Sequence, residues 1–211
     1  MPLGGVGMTL ALIDYGAGNL HSVENALKAA GARDVRVTAD PEVVLGAERI
    51  VLPGVGAFAA CMGALSAIPG MVDALNQRVI GEGAPFLGVC VGMQLMADAG
   101  EEFGTTPGLG WIKGVVAKLA PDDPTVRIPH MGWNDVVPVV PHPLIVPGEA
   151  YFLHSFAFNV ADPKTLAATT DHGGTVTAAV ARDNMIGAQF HPEKSQAYGL
   201  AFLSRFLDWR P

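Results

Sequence analysis

Cysteine is scarce in this chain, since only Cys61 and Cys90 occur among its 211 residues. Two cysteines make no disulfide framework, which is typical of proteins in a reducing compartment. Basic residues are also few: 13 Lys and Arg stand against 20 Asp and Glu, the net charge is −7, and no basic run is present. We therefore expect no nucleic-acid partner.

Long apolar runs are missing too. No stretch reaches the length that crosses a membrane, so we expect no membrane association. Residues 1–7 hold no basic group and are followed by the charged Asp14, which indicates a flexible N-terminal leader rather than a signal peptide. These absences together predict a soluble, cytoplasmic protein.

Histidines with the spacing of metal ligands are absent as well. The six histidines stand at separations that form no metal-binding pattern. Lys113, Lys118 and Arg127 are too scattered to form a phosphate site. We therefore expect neither a metal nor another cofactor, and we expect any phosphorylated substrate to belong to another polypeptide.

The composition that is present favours a large apolar core. Half of the residues are apolar and only 16% are charged. This suits a parallel sheet covered on both faces, or a surface that a partner partly buries. The length suits one domain and no composition shift marks a second, so residues 8–211 are predicted to form a single domain.

Strands and helices alternate in the first half of the chain. This order predicts a mostly parallel sheet with right-handed crossovers and helices on both faces, a three-layer α/β fold. Beyond Trp111 the segments become short and β-rich, with a hairpin expected around Asp183 and Asn184. The predicted strands are 8–13, 35–38, 49–52, 85–90, 115–119, 136–140, 151–156, 166–170, 175–181 and 185–190, and the predicted helices are 19–30, 41–45, 57–67, 71–81, 91–96 and 195–209.

A sharp turn between strand and helix is predicted at Cys90. Gly88 and Gly92 flank it at the spacing that such a turn needs, because a side chain at either position would collide where strand and helix approach closely. A thiol at this turn feels the positive end of the helix dipole, and the Val91 N–H points to where an oxyanion would form. The alternative is that Cys90 is a small buried hydrophobe.

A base for that thiol is offered by residues 187–193. His191 follows a predicted strand, and Glu193 comes two residues later. Positions two apart in an extended segment share a side, and Pro192 is expected to keep the segment extended. Glu193 then orients His191, which takes the proton of Cys90.

The segment Gly54-Val55-Gly56 supports a second interpretation. It follows a strand, opens a helix and matches a relaxed dinucleotide-binding fingerprint, with Asp73 at about the expected distance. The fingerprint normally belongs to the first strand and helix, whereas here it follows the third strand and Pro53 lies in the turn. Nucleotide binding is therefore disfavoured.

Several polar residues allow both a structural and a functional interpretation. Gln94 lies one helical turn after Cys90 and is either a satisfied core amide or a substrate contact. Glu102 is by default a solvated acid. Trp133 and Asn134 are expected in a loop, where they indicate an interface or a buried anchor.

Taken together, these motifs resemble those of the class I glutamine amidotransferase family, whose glutaminase domains carry a Gly-x-Cys-x-Gly elbow and a late His-Pro-Glu. The resemblance runs from near residue 8 to the C-terminus. Residues 13–20, 52–58, 130–134 and 151–156 are most similar to a branch that supplies ammonia to a separate cyclase subunit in histidine biosynthesis.

The resemblance implies a flavodoxin-like glutaminase domain that hydrolyses L-glutamine to glutamate and ammonia through a thioester on Cys90, in a heterodimer with the cyclase. His191 and Glu193 complete the implied triad. The other implied roles fall on the oxyanion and gating residues Gly54, Val55, Gly56 and Val91, on the substrate-binding residues Gln94, Glu102, His154, Ser155 and Phe156, and on the partner-interface residues Asn19, Trp133 and Asn134.

The roles that the resemblance implies for Glu102 and His154 have alternatives. Glu101 is a neighbouring candidate for the contact with the substrate's α-ammonium that is assigned to Glu102, and His154 is more often structural at such a position. The glutaminase subunit of pyridoxal phosphate synthase carries a similar Cys-His-Glu set, although residues 14–19 and 130–134 argue against it. A non-catalytic protein that kept the fold would require a buried, unreactive Cys90.

Overall fold

The computed structural model describes residues 8–211, so the predicted leader at 1–7 lies outside the described residues. The strands are β1 (Thr9–Ile13), β2 (Asp34–Thr38), β3 (Arg49–Gly54), β4 (Phe86–Cys90), β5 (Ala99–Gly100), β6 (Thr106–Pro107), β7 (Gly114–Lys118), β8 (His130–Pro138), β9 (Gly148–His154), β10 (Phe156–Val160), β11 (Leu166–Asp171), β12 (Thr175–Arg182) and β13 (Met185–Ala188). The helices are α1 (Leu20–Ala29), α2 (Pro41–Leu45), α3 (Phe58–Ala67), α4 (Met71–Leu75), α5 (Val91–Gln94) and α6 (Gln196–Asp208).

The main sheet has nine strands in the order β2-β1-β3-β4-β13-β12-β11-β8-β9. The pairs from β2 to β13 are parallel, and the remaining pairs are antiparallel. The first five strands repeat the order of flavodoxin-like sheets, in which ligands bind beyond the carboxyl ends of the strands. Every residue of β3, β4 and β13 is buried, as expected for central parallel strands.

Helices cover both faces of this sheet. From β1 the chain passes through α1 to β2 on one side, and it then returns through α2 to β3 on the other side of β1. Because both crossovers are right-handed and run in opposite directions along the sheet, α1 and α2 lie on opposite faces. Contacts agree with this arrangement, because α1 packs against α6 whereas α2 packs against α4, which in turn packs against α3. The predicted three-layer α/β fold is confirmed.

The C-terminal half differs from the sequence prediction in three places. Residues 130–134, expected in a loop, belong to β8, so the loop placement of Trp133 and Asn134 is wrong. The single strand predicted over 151–156 is two strands, β9 and β10, separated by Ser155. β10 joins a separate four-stranded sheet in the order β10-β7-β5-β6. Local patterning misses these features because strand pairing between distant segments decides them.

Two helical segments are also shorter or less regular than expected. After Cys90, α5 ends at Gln94, and the segment predicted as one helix over 71–81 passes from α4 into a π-helical turn at Asn76–Gly81.

No single helix within residues 8–211 is long and apolar enough to span a membrane, whereas the pair Phe58–Ala67 and Met71–Gly81, bent by 96°, has the length and composition of a broken span.

The close approach of β4 and α5 makes a stability prediction at Gly88. A Cβ added there would lie 2.6 Å from the Gly92 carbonyl oxygen and 2.8 Å from Met93 Cα, both backbone atoms. We expect Gly88→Ala to lower the free energy of unfolding by about 1–3 kcal/mol or more, the cost of overpacking, as measured by urea unfolding.

The control is Gly63→Ala on the exposed side of α3, where an added Cβ would meet no atom within 4 Å. This change should raise the free energy of unfolding by about 0.5–1 kcal/mol. Equal stability of Gly88→Ala and the wild type would contradict the close packing at the turn.

Candidate active site

Cys90 ends β4 in a strained backbone conformation. Its φ is 54° and its ψ is −113°, a region that residues other than glycine rarely adopt. Gly92 allows the turn, because a Cβ at that position would collide with the Leu52 carbonyl of the neighbouring strand β3. The strain turns the side chain out of the strand, and Cys90, although only 4% exposed, lines a cavity of about 180 Å³.

His191 lies at the same cavity, and Glu193 lies behind it. The Nδ1 of His191 is 2.8 Å from Oε1 of Glu193, and both side chains are almost fully buried. The prediction that Pro192 keeps this segment extended is wrong. β13 ends at Ala188, and Pro192–Lys194 forms a 3₁₀ turn. The tight turn folds Glu193 back onto the imidazole.

The charge on His191 is stabilised by its neighbours. Burial disfavours the imidazolium, but the Cys90 sulfur and the Glu193 carboxylate outweigh it and raise the pKa of His191 to about 10. The Cys90 sulfur lies close enough to His191 to contribute a hydrogen bond to this shift, and it also lies 3.9 Å from the Leu153 carbonyl oxygen. Catalytic hydrogen bonds often shorten only when substrate is bound.

The cavity gathers most of the residues that the sequence singles out. Glu102 lines it, whereas Glu101 does not and is exposed, which favours Glu102 of the two glutamates. Lys194 also lines the cavity, although sequence reasoning passed over it. The full lining is Val55, Gly56, Cys90, Val91, Gln94, Glu102, Leu153, His154, Ser155, Phe156, His191 and Lys194.

Two buried amides connect the wall of the cavity to the sulfur. Gln94 donates through Nε2 to the Phe156 carbonyl at 3.0 Å and to Oε1 of Gln189 at 2.9 Å. Gln189 in turn approaches the Cys90 Sγ with its Nε2 at 3.6 Å. Sequence reasoning missed Gln189, whose signal is a polar side chain in an otherwise apolar segment next to His191.

Two neutral histidines, His154 and His130, support the backbone of residues 154–156 in the cavity wall. The Phe156 carbonyl accepts from Nδ1 of His154 at 2.9 Å, so Nε2 of His154 accepts from Nδ1 of His130 at 3.0 Å. Nε2 of His130 then accepts from Asn134 at 3.1 Å. Burial lowers the pKa of His154 to about 4 and that of His130 to about 3, consistent with this arrangement. His154 therefore holds the backbone of the cavity wall.

The loop after β3 lies opposite Cys90. Gly54 must be glycine, because an added Cβ would lie 2.7 Å from the Gly92 nitrogen and 2.8 Å from the Tyr15 hydroxyl. Gly56 has a φ of +96° with open space around it. Oε2 of Glu102 accepts from the Phe58 N–H at 2.8 Å, which ties the start of α3 to the cavity.

The three residues assigned to a partner interface lie outside the cavity. Trp133 is 47% exposed on β8, with the more exposed Met131 on the same face of the strand, so it is not a buried anchor. Asn134 points to the other face and donates to His130 and to the Asp171 carbonyl. Asn19 caps α1 by accepting from the Ser22 N–H at 3.4 Å.

Residues that could hold a metal are not grouped in the described part of the chain. Within residues 8–211, no cluster of three or more His, Cys, Asp or Glu side chains is placed to bind an ion. The arrangement at Cys90 offers instead a thiol, a charged imidazole and backbone N–H groups around one cavity. These are the components of nucleophilic acyl transfer.

Comparisons with known proteins agree with this chemistry. The family described as "Glutamine amidotransferase class-I" matches residues 11–208. The imidazole glycerol phosphate synthase subunit HisH of Zymomonas mobilis is 66% identical over 206 residues, 96% of this chain and 97% of that protein. The HisH subunit of Caulobacter vibrioides is 56% identical over 212 residues, 96% of this chain and 99% of that protein.

Solved structures share the fold at low identity. One crystal structure of a glutamine amidotransferase has a TM-score of 0.72 at 17% identity, covering 94% of this chain and 97% of that chain. PurLQS from Thermotoga maritima gives a TM-score of 0.71 at 16% identity, covering 96% and 98%.

The charged pair makes a pH prediction. The pKa of His191 is about 10 in the folded protein, above the roughly 6.5 of an unfolded histidine, so protonation favours folding. Its stabilisation is complete below about pH 6.5 and is lost as the pH rises toward 10. Glu193→Gln should lower the pKa of His191, so that this loss comes at lower pH. NMR titration of the His191 ring, together with urea unfolding between pH 6 and 10, measures both effects.

Glu48→Gln, at an exposed glutamate before β3, is the control and should leave the His191 titration unchanged. The same midpoint in Glu193→Gln and wild type would contradict the role of the carboxylate.

Proposed function

Because this chain belongs to the class I glutamine amidotransferase family, we propose that it hydrolyses L-glutamine to glutamate and ammonia as the glutaminase subunit of an imidazole glycerol phosphate synthase. The observation that carries the chemistry is the single cavity at which Cys90 and His191 meet, with Glu193 bonded to the histidine from behind. The ammonia serves a cyclase subunit in histidine biosynthesis.

Cys90 is the nucleophile in this reaction. The proton of the Cys90 thiol passes to His191, the sulfur bonds to the amide carbon of glutamine, and the electron pair of the C=O moves to oxygen. The C=O then re-forms as the C–N bond breaks. His191 donates its proton to the leaving nitrogen, so that ammonia departs and a thioester remains. His191, now neutral, takes a proton from water, and the hydroxide attacks the thioester carbon. The C–S bond then breaks, the sulfur takes the proton back from His191, and glutamate leaves as the thiol is restored.

Backbone N–H groups stabilise the oxyanion. The Val91 N–H follows Cys90 directly, and a second N–H comes from the loop at Gly54, Val55 and Gly56, which faces the same cavity. Loss of one such donor typically costs roughly 10²- to 10³-fold in rate. The orientation of this loop therefore provides a means of control.

The amino-acid end of glutamine is held at the opposite side of the cavity. Glu102 faces it with a carboxylate for the α-ammonium group, and the backbone at His154, Ser155 and Phe156 supplies polar atoms along the wall. Gln94 contacts the substrate while keeping the wall in place through the Phe156 carbonyl.

The cyclase subunit docks on the face that carries Trp133, next to the exposed Met131. Asn19 and Asn134 lie at the edge of this interface, although Asn134 is also bonded within the subunit. Cytoplasmic localisation remains a prediction.

Replacement of the nucleophile tests the reaction. Cys90→Ser should fold normally and lose glutamine hydrolysis, since a serine hydroxyl is far less ionised beside the same histidine. The synthase complex that contains Cys90→Ser should still use ammonium salts, because only ammonia production is assigned to this chain. Glutamate release and cyclised product are measured with glutamine or ammonium as the nitrogen source.

The matched control is Cys61→Ser, which changes the other thiol of the described chain and should be nearly silent. Near-wild-type hydrolysis by Cys90→Ser would refute the assignment of the nucleophile. A continued need for Cys90 with ammonium would refute the division of labour between the subunits.

Gating by the partner is the second prediction. We expect the isolated subunit to hydrolyse glutamine slowly and to be stimulated at least ~100-fold when the cyclase and its ligand are both bound, as the loop N–H turns toward the oxyanion. Steady-state glutamate release with and without partner and ligand measures this. Equal rates in all conditions would contradict the predicted control by the partner, but not the catalytic role of Cys90.

Gly56→Ala offers a variant for the same measurement. Its φ of +96° strains any other residue although space is open around it. It should change the stimulation more than the affinity for the cyclase.

A further inference from the structure

The loop at residues 53–57, called here the oxyanion loop, is attached to the protein by two side chains that bond to the carbonyls on either side of the Gly54–Val55 peptide. The Tyr15 hydroxyl donates to the Pro53 carbonyl at 2.7 Å. The Cys61 thiol donates to the Val55 carbonyl at 3.3 Å. Neither side chain lines the cavity, and neither has a place in the chemistry described above.

Tyr15 is a rigid donor. It follows β1, is only 6% exposed, and its hydroxyl lies 2.8 Å from where a Cβ on Gly54 would be. Burial, with a further contribution from the thiols of Cys61 and Cys90, raises the pKa of Tyr15 well above its ordinary value. The hydroxyl therefore keeps its proton and donates at every working pH.

Cys61 is the second donor, and its thiol also lies close to the Tyr15 hydroxyl. It lies in the first half of α3, is 1% exposed, and reaches back to a carbonyl six residues earlier in the chain. Burial raises the pKa of the Cys61 thiol, so it also remains protonated. Its position in a predicted helix with no base nearby explains why it is not a second nucleophile, and the contact gives it another role.

Between these two anchors lies the Val55 N–H. In the hydrogen bonding of residues 8–211 this N–H has no partner, while Val55 itself lines the cavity and is 44% exposed. Side chains hold the peptide groups that carry the Pro53 and Val55 carbonyls, whereas in the described chain the peptide that carries this N–H is held only through the main-chain pairing of Gly54 with Cys90, so a turn of the loop is confined to that peptide.

We propose that Tyr15 and Cys61 are positioning residues for glutamine hydrolysis, which hold the carbonyls on either side of the Val55 N–H so that this group alone turns toward the oxyanion. The inference rests on the glutaminase activity proposed above. Without either anchor, neighbouring peptides move as well and the N–H spends less time in the productive orientation.

The effect should be moderate and confined to turnover. A neutral hydrogen bond is worth about 1 kcal/mol, which corresponds to roughly a fivefold change in kcat. Tyr15→Phe should therefore lower kcat about fivefold in the complex with cyclase and its ligand. Cys61→Ala should lower it less, since a thiol is a weaker donor. KM for glutamine should stay within about twofold of wild type, because the anchors do not touch the substrate.

Three controls separate positioning from general damage. Cys61→Ser retains a donor and should recover the kcat that Cys61→Ala loses. Tyr198→Phe removes a hydroxyl that donates at 2.9 Å to the Val146 carbonyl, away from the cavity, and should leave kcat unchanged. Alkylation of Cys90 by iodoacetamide needs no oxyanion hole, so its rate should be the same in Tyr15→Phe and wild type.

A second measurement does not depend on activity. The amide ¹⁵N NMR signals of Gly54, Val55 and Gly56 should shift or broaden in Tyr15→Phe and Cys61→Ala but not in Tyr198→Phe. Unchanged kcat and unchanged loop signals in the first two variants, or an equal loss of kcat in Tyr198→Phe, would overturn the inference. A wild-type complex that releases no glutamate would instead overturn the proposed function, and the loop signals alone would then decide whether the anchors hold.

Discussion

The close approach of β4, α5 and β3 is the constraint on which the rest of the site depends. Gly88 and Gly92 let the backbones meet without side chains, and Cys90 between them is forced to a φ of 54°. Such a conformation costs of order 1–3 kcal/mol and persists only where the surroundings fix it. Here two fully buried strands fix it, so the sheet's stability maintains a strained nucleophile.

Most of the polar side chains buried around this nucleophile are uncharged. The amides of Gln94 and Gln189 and the rings of His130 and His154 are joined by hydrogen bonds that leave each of them uncharged. A buried network of this kind holds its members firmly when its donors and acceptors are matched. The charge is left to His191, whose pKa of about 10 follows from the nearby sulfur and carboxylate. Rigid, uncharged walls and one charged pair suit this reaction, because its changes of charge are limited to the proton transfers and the transient oxyanion.

The oxyanion loop contrasts with those walls. Its carbonyls at Pro53 and Val55 are held by Tyr15 and Cys61, while the Val55 N–H between them has no partner among residues 8–211. Glu102, which caps α3 at Phe58, links the start of the following helix to the cavity that receives the substrate. A partner that acts on this loop can change the rate without altering the triad.

The sequence by itself determined the turn at Cys90 and the alternation that gives a three-layer fold, because glycine placement and local spacing carry those features. It also identified His191 and Glu193 as a pair, although the extended geometry predicted for them is wrong. Tertiary structure alone decided that a 3₁₀ turn, and not an extended segment, joins His191 to Glu193, that Trp133 lies in a strand, and that Gln189 reaches the sulfur. It also decided that Cys61, silent in the sequence, contacts the loop. The strand at Trp133 and the approach of Gln189 to Cys90 depend on contacts between residues far apart in the chain, such as the 99 positions between Cys90 and Gln189, and no local pattern encodes such a distance. The turn at Pro192 and the contact of Cys61 with Val55 span only a few residues, but neither follows from residue type and spacing alone.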